Sequence, residues 1–364
     1  METENPADVA HLQGGGGPRA GFCDLSDDPS SHSSAFSECN SDRSGEFASA
    51  SPQARRRLLV ACTSDRADDS FISQLVSDLG SCSIEEQRLA AMEIRLLAKN
   101  KADNRLRIAQ AGAIKPLVSI ISSSSDPLLQ EDGVTAILNL SLCDENKEAI
   151  AASGAVKPLV RALKVGTPTS KENAACALFR LSQLEENKAV IGRSGAIPPL
   201  VGLLECGGAR GKKDAATALY SLCSLRENKV RAVQAGLMRP LVELMADLDS
   251  SMVDKAAFVA HLLVTGLEEA RAAVVEEGGV PVLVEIVEVG SRRQKEISVA
   301  ILLQLCEDSV VYRTMVSREG AIPPLVALSQ TSTSRAKQKA EKLIELLRQT
   351  RSNDGAARGS EALS

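Results

Sequence analysis

The chain has 364 residues, 44% of them hydrophobic but only 2% aromatic, and it contains no Trp. So few rings are unusual for a compact enzyme, whereas a core of Leu, Ile, Val and Ala suits closely packed helices. The formal net charge of −5 gives no global attraction to nucleic acid or an anionic membrane, so neither is expected as a partner.

Residues 1–69 read as a disordered, Ser/Gly-rich acidic tail. They hold Gly14 to Gly17 in one run, a Ser-rich stretch from Ser26 to Ser51 and scattered Asp and Glu, with few large apolar residues to offset the entropy of ordering. The start resembles no signal peptide, Met1-Glu2 excludes a myristoylated second residue, and no apolar run approaches the ~20 residues of a membrane span. Arg55-Arg56-Arg57 reads as a solvated charge cluster before it reads as a nuclear localisation signal, and Ser51-Pro52 is a weak proline-directed phosphosite.

From about Phe71 to about Thr350 a helical period takes over. Its anchor is a Gly, a short apolar word and usually a Pro: GAIKPLV from Gly112, GAVKPLV from Gly154, GAIPPLV from Gly195, GLMRPLV from Gly236, GGVPVLV from Gly278 and GAIPPLV from Gly320. The intervals are 42, 41, 41, 42 and 42 residues, the period of a helical solenoid. The predicted array covers 70–350 in units of about 70–109, 110–151, 152–192, 193–233, 234–275, 276–317 and 318–350, with 351–364 as a disordered C-terminal tail. Within a unit, a first helix such as ENKEAIAAS is stopped by a Gly that takes the left-handed conformation without steric cost. Pro158 and its equivalents lie in the first turn of the second helix, where a missing N–H removes no bond. A polar turn such as VGTPTS (Val165 to Ser170) leads to a third helix, KENAACALFRLS (Lys171 to Ser182), with Ala where backbones approach closely. One such unit cannot bury its own faces, so stacking has to stabilise the array as a whole, and the Lys- and Glu-rich Ser334 to Thr350 suits its C-terminal cap.

Nine Cys show no CxxC pair and no His at zinc spacing, which reads as reduced thiols in an intracellular protein. Cys143, Cys176, Cys223 and Cys306 fall in apolar helical stretches, where a thiol acts as a small hydrophobe. Of three His, His11 and His32 lie in the tail, and His261 aligns with Phe179 and Tyr220 in a packing slot. GGARGKKD (Gly207 to Asp214) fits the turn before a third helix rather than a phosphate loop. The ENK triplets at Glu145-Asn146-Lys147, Glu186-Asn187-Lys188 and Glu227-Asn228-Lys229 read as first-helix starts, the acid favouring the helix dipole and Asn capping. No catalytic, cofactor or metal residue is expected, and the chain is not read as an enzyme.

The unit resembles the armadillo repeat over roughly residues 70–350. More narrowly, AKNKADNRLRIAQAGAIKPLV (Ala98 to Val118), TAILNLSLCDENKEAI (Thr135 to Ile150) and the ENK triplets resemble the armadillo array of plant U-box proteins. The resemblance implies an all-α, right-handed superhelix of about six to seven three-helix repeats that binds a partner in its concave groove. Such relatives carry a U-box before the repeats. Residues 1–69 show no matching apolar pattern and no Cys-Pro-Ile opening, so ligase activity has no residues to rest on.

In that family the third helices line the groove. Leu96, Asn139, Arg180, Ser221, Leu262 and Gln304 align with the position that often holds an Asn bonded to an extended ligand, and only Asn139 matches. Four residues earlier stand Met92, Thr135, Cys176, Thr217, Phe258 and Ala300, where the importin-α family has Trp. A nuclear transport receptor is therefore disfavoured. Glu131, Asp132, Lys171, Glu172, Arg180, Lys212, Lys213, Asp254 and Lys255 flank the same line, acidic early and more basic later. The expected function is a non-catalytic scaffold binding an extended or helical protein segment, in plant signalling or ubiquitin-linked regulation, in the cytosol with the nucleus as a second site. The alternative is the substrate-recognition part of a U-box-type ubiquitin ligase.

Overall fold

The computed structural model describes residues 69–361 apart from Ser332, and for Asn100 and 350–361 the backbone alone. The expected tail, its triple-Arg run and Ser51-Pro52 lie outside the described residues. All described residues belong to one unit, Cys39–Ser364, and every regular element among them is a helix. Asp69–Asp78 and Ile84–Asn100 open the array. Triplets of a first, second and third helix follow: Ala102–Gln110, Ile114–Ser123 and Pro127–Leu140, then Asp144–Ala152, Val156–Val165 and Pro168–Leu181. Next come Glu185–Arg193, Ile197–Cys206 and Ala209–Leu222, and Arg226–Gln234, Met238–Ala246 and Val253–Val264. Glu268–Glu276, Gly279–Val289 and Arg292–Glu307 precede the last triplet of Val310–Arg318, Ile322–Thr331 and Ser334–Glu361.

The punctuation works as its chemistry requires. All six anchor glycines have positive φ, from 72° to 91°, at the corner between first and second helices. At Gly154 (φ 81°) nothing lies within 4 Å of the place a Cβ would take, so backbone conformation alone demands glycine there. Three of the third helices start on polar caps. The Asp126 carboxylate accepts from the N–H groups of Leu128 (2.8 Å) and Leu129 (3.0 Å), and Ser291 forms a reciprocal capping box with Gln294. Thr167 accepts from the Ser170 N–H at 3.1 Å, with Pro168 in the first turn behind it. The third helix there consequently begins at Pro168 rather than Lys171, and the expected turn VGTPTS ends at Thr167.

Like packs on like. Each third helix contacts the third helices adjacent to it, and the second helices stack in the same way. Fully buried Ala174, Ala175 and Ala177, then Ala215, Ala216 and Ala218, then Ala256, Ala257 and Ala260 let neighbouring third helices approach. One apolar core therefore runs the length of the array, each layer covering the next. The final helix buries Ala336, Ala340, Leu343, Ile344 and Leu347 and exposes its Lys and Glu face, as a terminal cap must. It continues past Thr350, where the sequence suggested a disordered tail, to Glu361.

Candidate partner-binding surface

Polar side chains decide what the stacked third helices can offer a partner, so their commitments come first. The ENK triplets are structural, but not through the cap expected. In all three units the residue before the helix is the N-cap, and the Asn lies inside the first turn. The amides of Asn146, Asn187 and Asn228 instead donate backwards to the last carbonyls of the preceding third helix, Leu140 O (3.1 Å), Leu181 O (3.0 Å) and Leu222 O (3.0 Å). Those carbonyls have no partner within their own helix, so the amide closes the corner between third and first helices. Asn146 and Asn228 also reach one layer back, to Arg105 O (3.1 Å) and Lys188 O (3.0 Å). The Lys of each triplet reaches one layer forward: Lys147 to the Gln183 side chain, Lys188 to Ser224 Oγ (2.9 Å) and Lys229 to Thr265 O (2.9 Å). Around Asn146 and Asn228 a single three-residue word thus ties a layer to both neighbours.

Where Asn is replaced, the next residue takes over. Ala270 and Tyr312 stand at the Asn position, and Arg271 Nε donates to Val264 O (3.3 Å) while Arg313 donates from Nε to Cys306 O and from Nη2 to Glu307 O, both at 2.6 Å. Sequence alignment showed the missing Asn. It did not show that an Arg one step on could span the same gap.

The aligned groove residues separate into two rows. Thr135, Cys176, Thr217 and Phe258 are buried in the seam between third helices, with Thr217 Oγ1 donating to its own helix at Lys213 O (2.8 Å). A side chain in that row faces a neighbouring helix, not an incoming segment. The other row, Leu96, Arg180, Ser221, Leu262 and Gln304, is half-buried, and so is Lys213. Asn139 departs from its row. It is 2% exposed and its amide donates to Arg95 O at 2.9 Å, so the N–H expected for a ligand already joins two layers. Ser221 is partly engaged as well, accepting from Ser182 Oγ at 2.7 Å. The Arg180 guanidinium lies 5.6 Å from the Phe179 ring centroid, and burial holds its pKa below the ordinary value.

A polar ladder missed by sequence reasoning runs beneath this surface. Asn173 Nδ2 donates to Thr135 Oγ1 (2.7 Å) and Arg210 Nη2 donates to Asn173 Oδ1 (2.6 Å), linking three successive third helices. Arg210 also pairs with Asp214 (3.5 Å) and Glu172 (3.8 Å). One layer earlier, Arg95 pairs with Asp132 at 3.3 Å, both nearly buried. Burial lifts the Asp214 carboxyl to about 6, against which the Arg210 charge pulls down. Asn173 and Arg210 lie seven and eleven residues before Arg180 and Ser221, on the same helical stripe, which is the signal that could have found them.

Cys143, Cys223 and Cys306 are buried free thiols, and burial pushes the last two up to about 12, so they act as small hydrophobes as expected. Cys176 is equally buried, at 1% exposure. His261 is held down at about 4, chiefly by burial, and stays neutral in its packing slot. Among the described residues no cluster of His, Cys, Asp and Glu could hold a metal ion, and no single helix is long and apolar enough to cross a membrane.

A family model for the plant U-box protein ARM repeat region matches residues 72–361. The chain is 53% identical over 296 residues to U-box domain-containing protein 14 of Arabidopsis thaliana, covering 81% of this chain and 46% of that protein. It is 52% identical over 300 residues to U-box domain-containing protein 12 of Oryza sativa subsp. japonica, covering 82% and 48%. The chain thus spans about half the length of these relatives. An engineered protein of known crystal structure superposes with a TM-score of 0.69 at 24% identity, covering 83% of this chain and 76% of the other, a likeness of fold. Regular glycine corners, Asn and Arg corner locks, third helices stacked in series and these relatives lead to one conclusion: the chain belongs to the armadillo-repeat family of plant U-box proteins.

Proposed function

We propose that the chain is a non-catalytic interaction module that holds an extended or helical segment of a partner protein against its third helices. The observation that carries this reading is the division of polar groups. Asn139, Asn173 and Arg210 are committed between layers, while Arg180, Lys213, Leu262 and Gln304 remain half-exposed at one face of consecutive third helices. A scaffold whose layers are tied by internal polar bonds, with a mixed polar and apolar row left outward, has the anatomy of a recognition surface. Because the relatives are U-box proteins, the setting proposed is plant signalling or ubiquitin-linked regulation, in the cytosol and nucleus. Capture of a candidate partner by the full chain should fall with Arg180→Glu and Lys213→Glu and persist with substitutions at exposed Glu148 and Lys157, which lie on first and second helices. The opposite pattern removes the third-helix surface from consideration.

A second reading is favoured by one observation, the 53% identity to a protein named for its U-box. In it the chain is the substrate-recognition part of a ubiquitin ligase. Incubating the full chain with ubiquitin, an activating enzyme and several conjugating enzymes separates the two readings, since polyubiquitin formed by the chain alone contradicts a purely binding role.

A further inference from the structure

The first third helix of the array, Ile84–Asn100, has no third helix before it among the described residues. Asp69–Asp78 packs against it and against Ala102–Gln110, the same pair of contacts that Val156–Val165 and Ile197–Cys206 make in their own layers. Asp69–Asp78 therefore stands in a second helix's place, not a third's. In the following layers the row that faces backwards is identified by its bonds. Asp132 pairs with Arg95 at 3.3 Å, Asn139 donates to Arg95 O and Asn173 donates to Thr135 Oγ1. On Ile84–Asn100 the residues aligned with Asp132, Thr135 and Asn139 are Leu89, Met92 and Leu96. Three polar side chains have become apolar, and they are less covered. Asp132, Thr135 and Asn139 are 9%, 2% and 2% exposed, whereas Leu89, Met92 and Leu96 are half-buried. A terminal layer meant to face water carries a polar outer row, and this one does not. Between Leu89 and Leu96 stands Glu93, at 0% exposure, where later third helices place fully buried Ala136, Ala177, Ala218, Val259 and Ile301. A carboxylate buried that far is stable beside a cation.

We propose that this apolar row with its buried acid docks the chain's own segment Arg55 to Val60, which closes the N-terminal end of the array. Leu58-Leu59-Val60 is the one place in residues 1–68 where three large apolar residues adjoin, and Arg55-Arg56-Arg57 stands directly before it. The segment thus carries both chemistries the row calls for: an aliphatic patch for Leu89, Met92 and Leu96, and a guanidinium for Glu93. Its tether is long enough. Residues 61–68 span up to roughly 26–29 Å when extended, and a helix of 17 residues is about 25 Å long. A second copy fits worse, since a two-fold contact through this row would bring Glu93 against its own counterpart. Docked in this way, the Arg run is a counter-charge for the array rather than a localisation signal. The docking stands whether or not the third-helix surface holds a partner.

Trypsin reads the docking in the full chain, with Arg43 as the internal reference. Asp42 precedes Arg43 and slows its cleavage, so an undocked Arg55-Arg56-Arg57 would be cut at least as fast. Cleavage at Arg55 to Arg57, timed by peptide mass, should instead be at least about tenfold slower than at Arg43. Leu58→Ser plus Leu59→Ser, or Leu89→Ser plus Leu96→Ser, should bring it up to the Arg43 rate, and Glu93→Gln should raise it at least about threefold. If Leu89→Ser plus Leu96→Ser unfolds, as judged by circular dichroism, Met92→Ser at its half-buried position takes its place and should raise the rate in the same direction. Equal cleavage at Arg43 and at Arg55 to Arg57 in the wild type overturns the proposal. So does protection that a folded variant of the Leu89, Met92 and Leu96 row retains in full. Protection that fades on dilution together with a dimer in sedimentation assigns the row to a second copy, and overturns it as well.

Discussion

Asn228→Ala removes more than any single contact on the exposed faces of the array. Asn228 is fully buried, and its amide donates to Leu222 O and to Lys188 O, both at 3.0 Å, while its Oδ1 accepts from Arg231 at 3.0 Å. Each lost bond is worth about 1 kcal/mol net, and Leu222 O keeps the Leu225 N–H as a donor at 3.3 Å. The substitution should therefore destabilise by roughly 2–4 kcal/mol. Asn187→Ala is the internal control. That amide makes only the local bond to Leu181 O, so its loss should be about 1–2 kcal/mol. The two variants should also differ in kind, because the Asn228 bond to Lys188 O crosses between layers and contributes to the coupling that makes a solenoid unfold together. Urea unfolding of the full chain, followed by far-ultraviolet circular dichroism, should show a lower midpoint for both and a broadened transition for Asn228→Ala alone. Equal midpoints, or an unbroadened transition for Asn228→Ala, would refute the assignment of this residue as an inter-layer tie.

Two glycines test different physics. Gly154→Ala should cost about 1–2 kcal/mol through its positive φ alone, since its Cβ site is empty. Gly166 has φ −70°, yet an added Cβ would lie 2.5 Å from Ala162 O, so Gly166→Ala should lower the unfolding midpoint further, by steric overlap. Asp214 gives a pH signature. Its folded pKa of about 6 lies above the ordinary 3.8, so the fold favours the protonated acid. The stability it contributes is full below about pH 4 and is lost as pH rises through about 6, a swing of roughly 3 kcal/mol. Asp214→Asn should flatten the pH dependence of the unfolding midpoint in that window, and a wild-type slope retained by the variant would exclude Asp214 as its source. Thiol labelling, mapped by peptide mass, should modify exposed Cys82 and Cys206 quickly, and Cys223 and Cys306 only on unfolding. Fast native labelling of Cys306 would contradict its place in the core.

Much of this was legible in the chain. Gly154 and Gly195 announce their corners because few other residues take positive φ, and the proline-bearing words that follow can only open a helix. The charged row with Arg180 and Lys213 was legible as a stripe, since one helix face repeats every three to four residues. The commitments of Asn139, Asn146 and Asn228 were not. Whether an amide caps its own helix, closes the corner behind it or reaches the next layer depends on distances between helix ends that no local rule sets.

The sequence by itself therefore determined the number, order and punctuation of the helices and their need to stack, because backbone conformation and apolar periodicity are local properties. Only the tertiary structure decided which polar groups are consumed between layers and which face outward. That outcome follows from how each layer sits on the one before. The same stacking that buries Thr135, Phe258 and Asn139 in the seams leaves Arg180, Lys213 and Gln304 half-exposed.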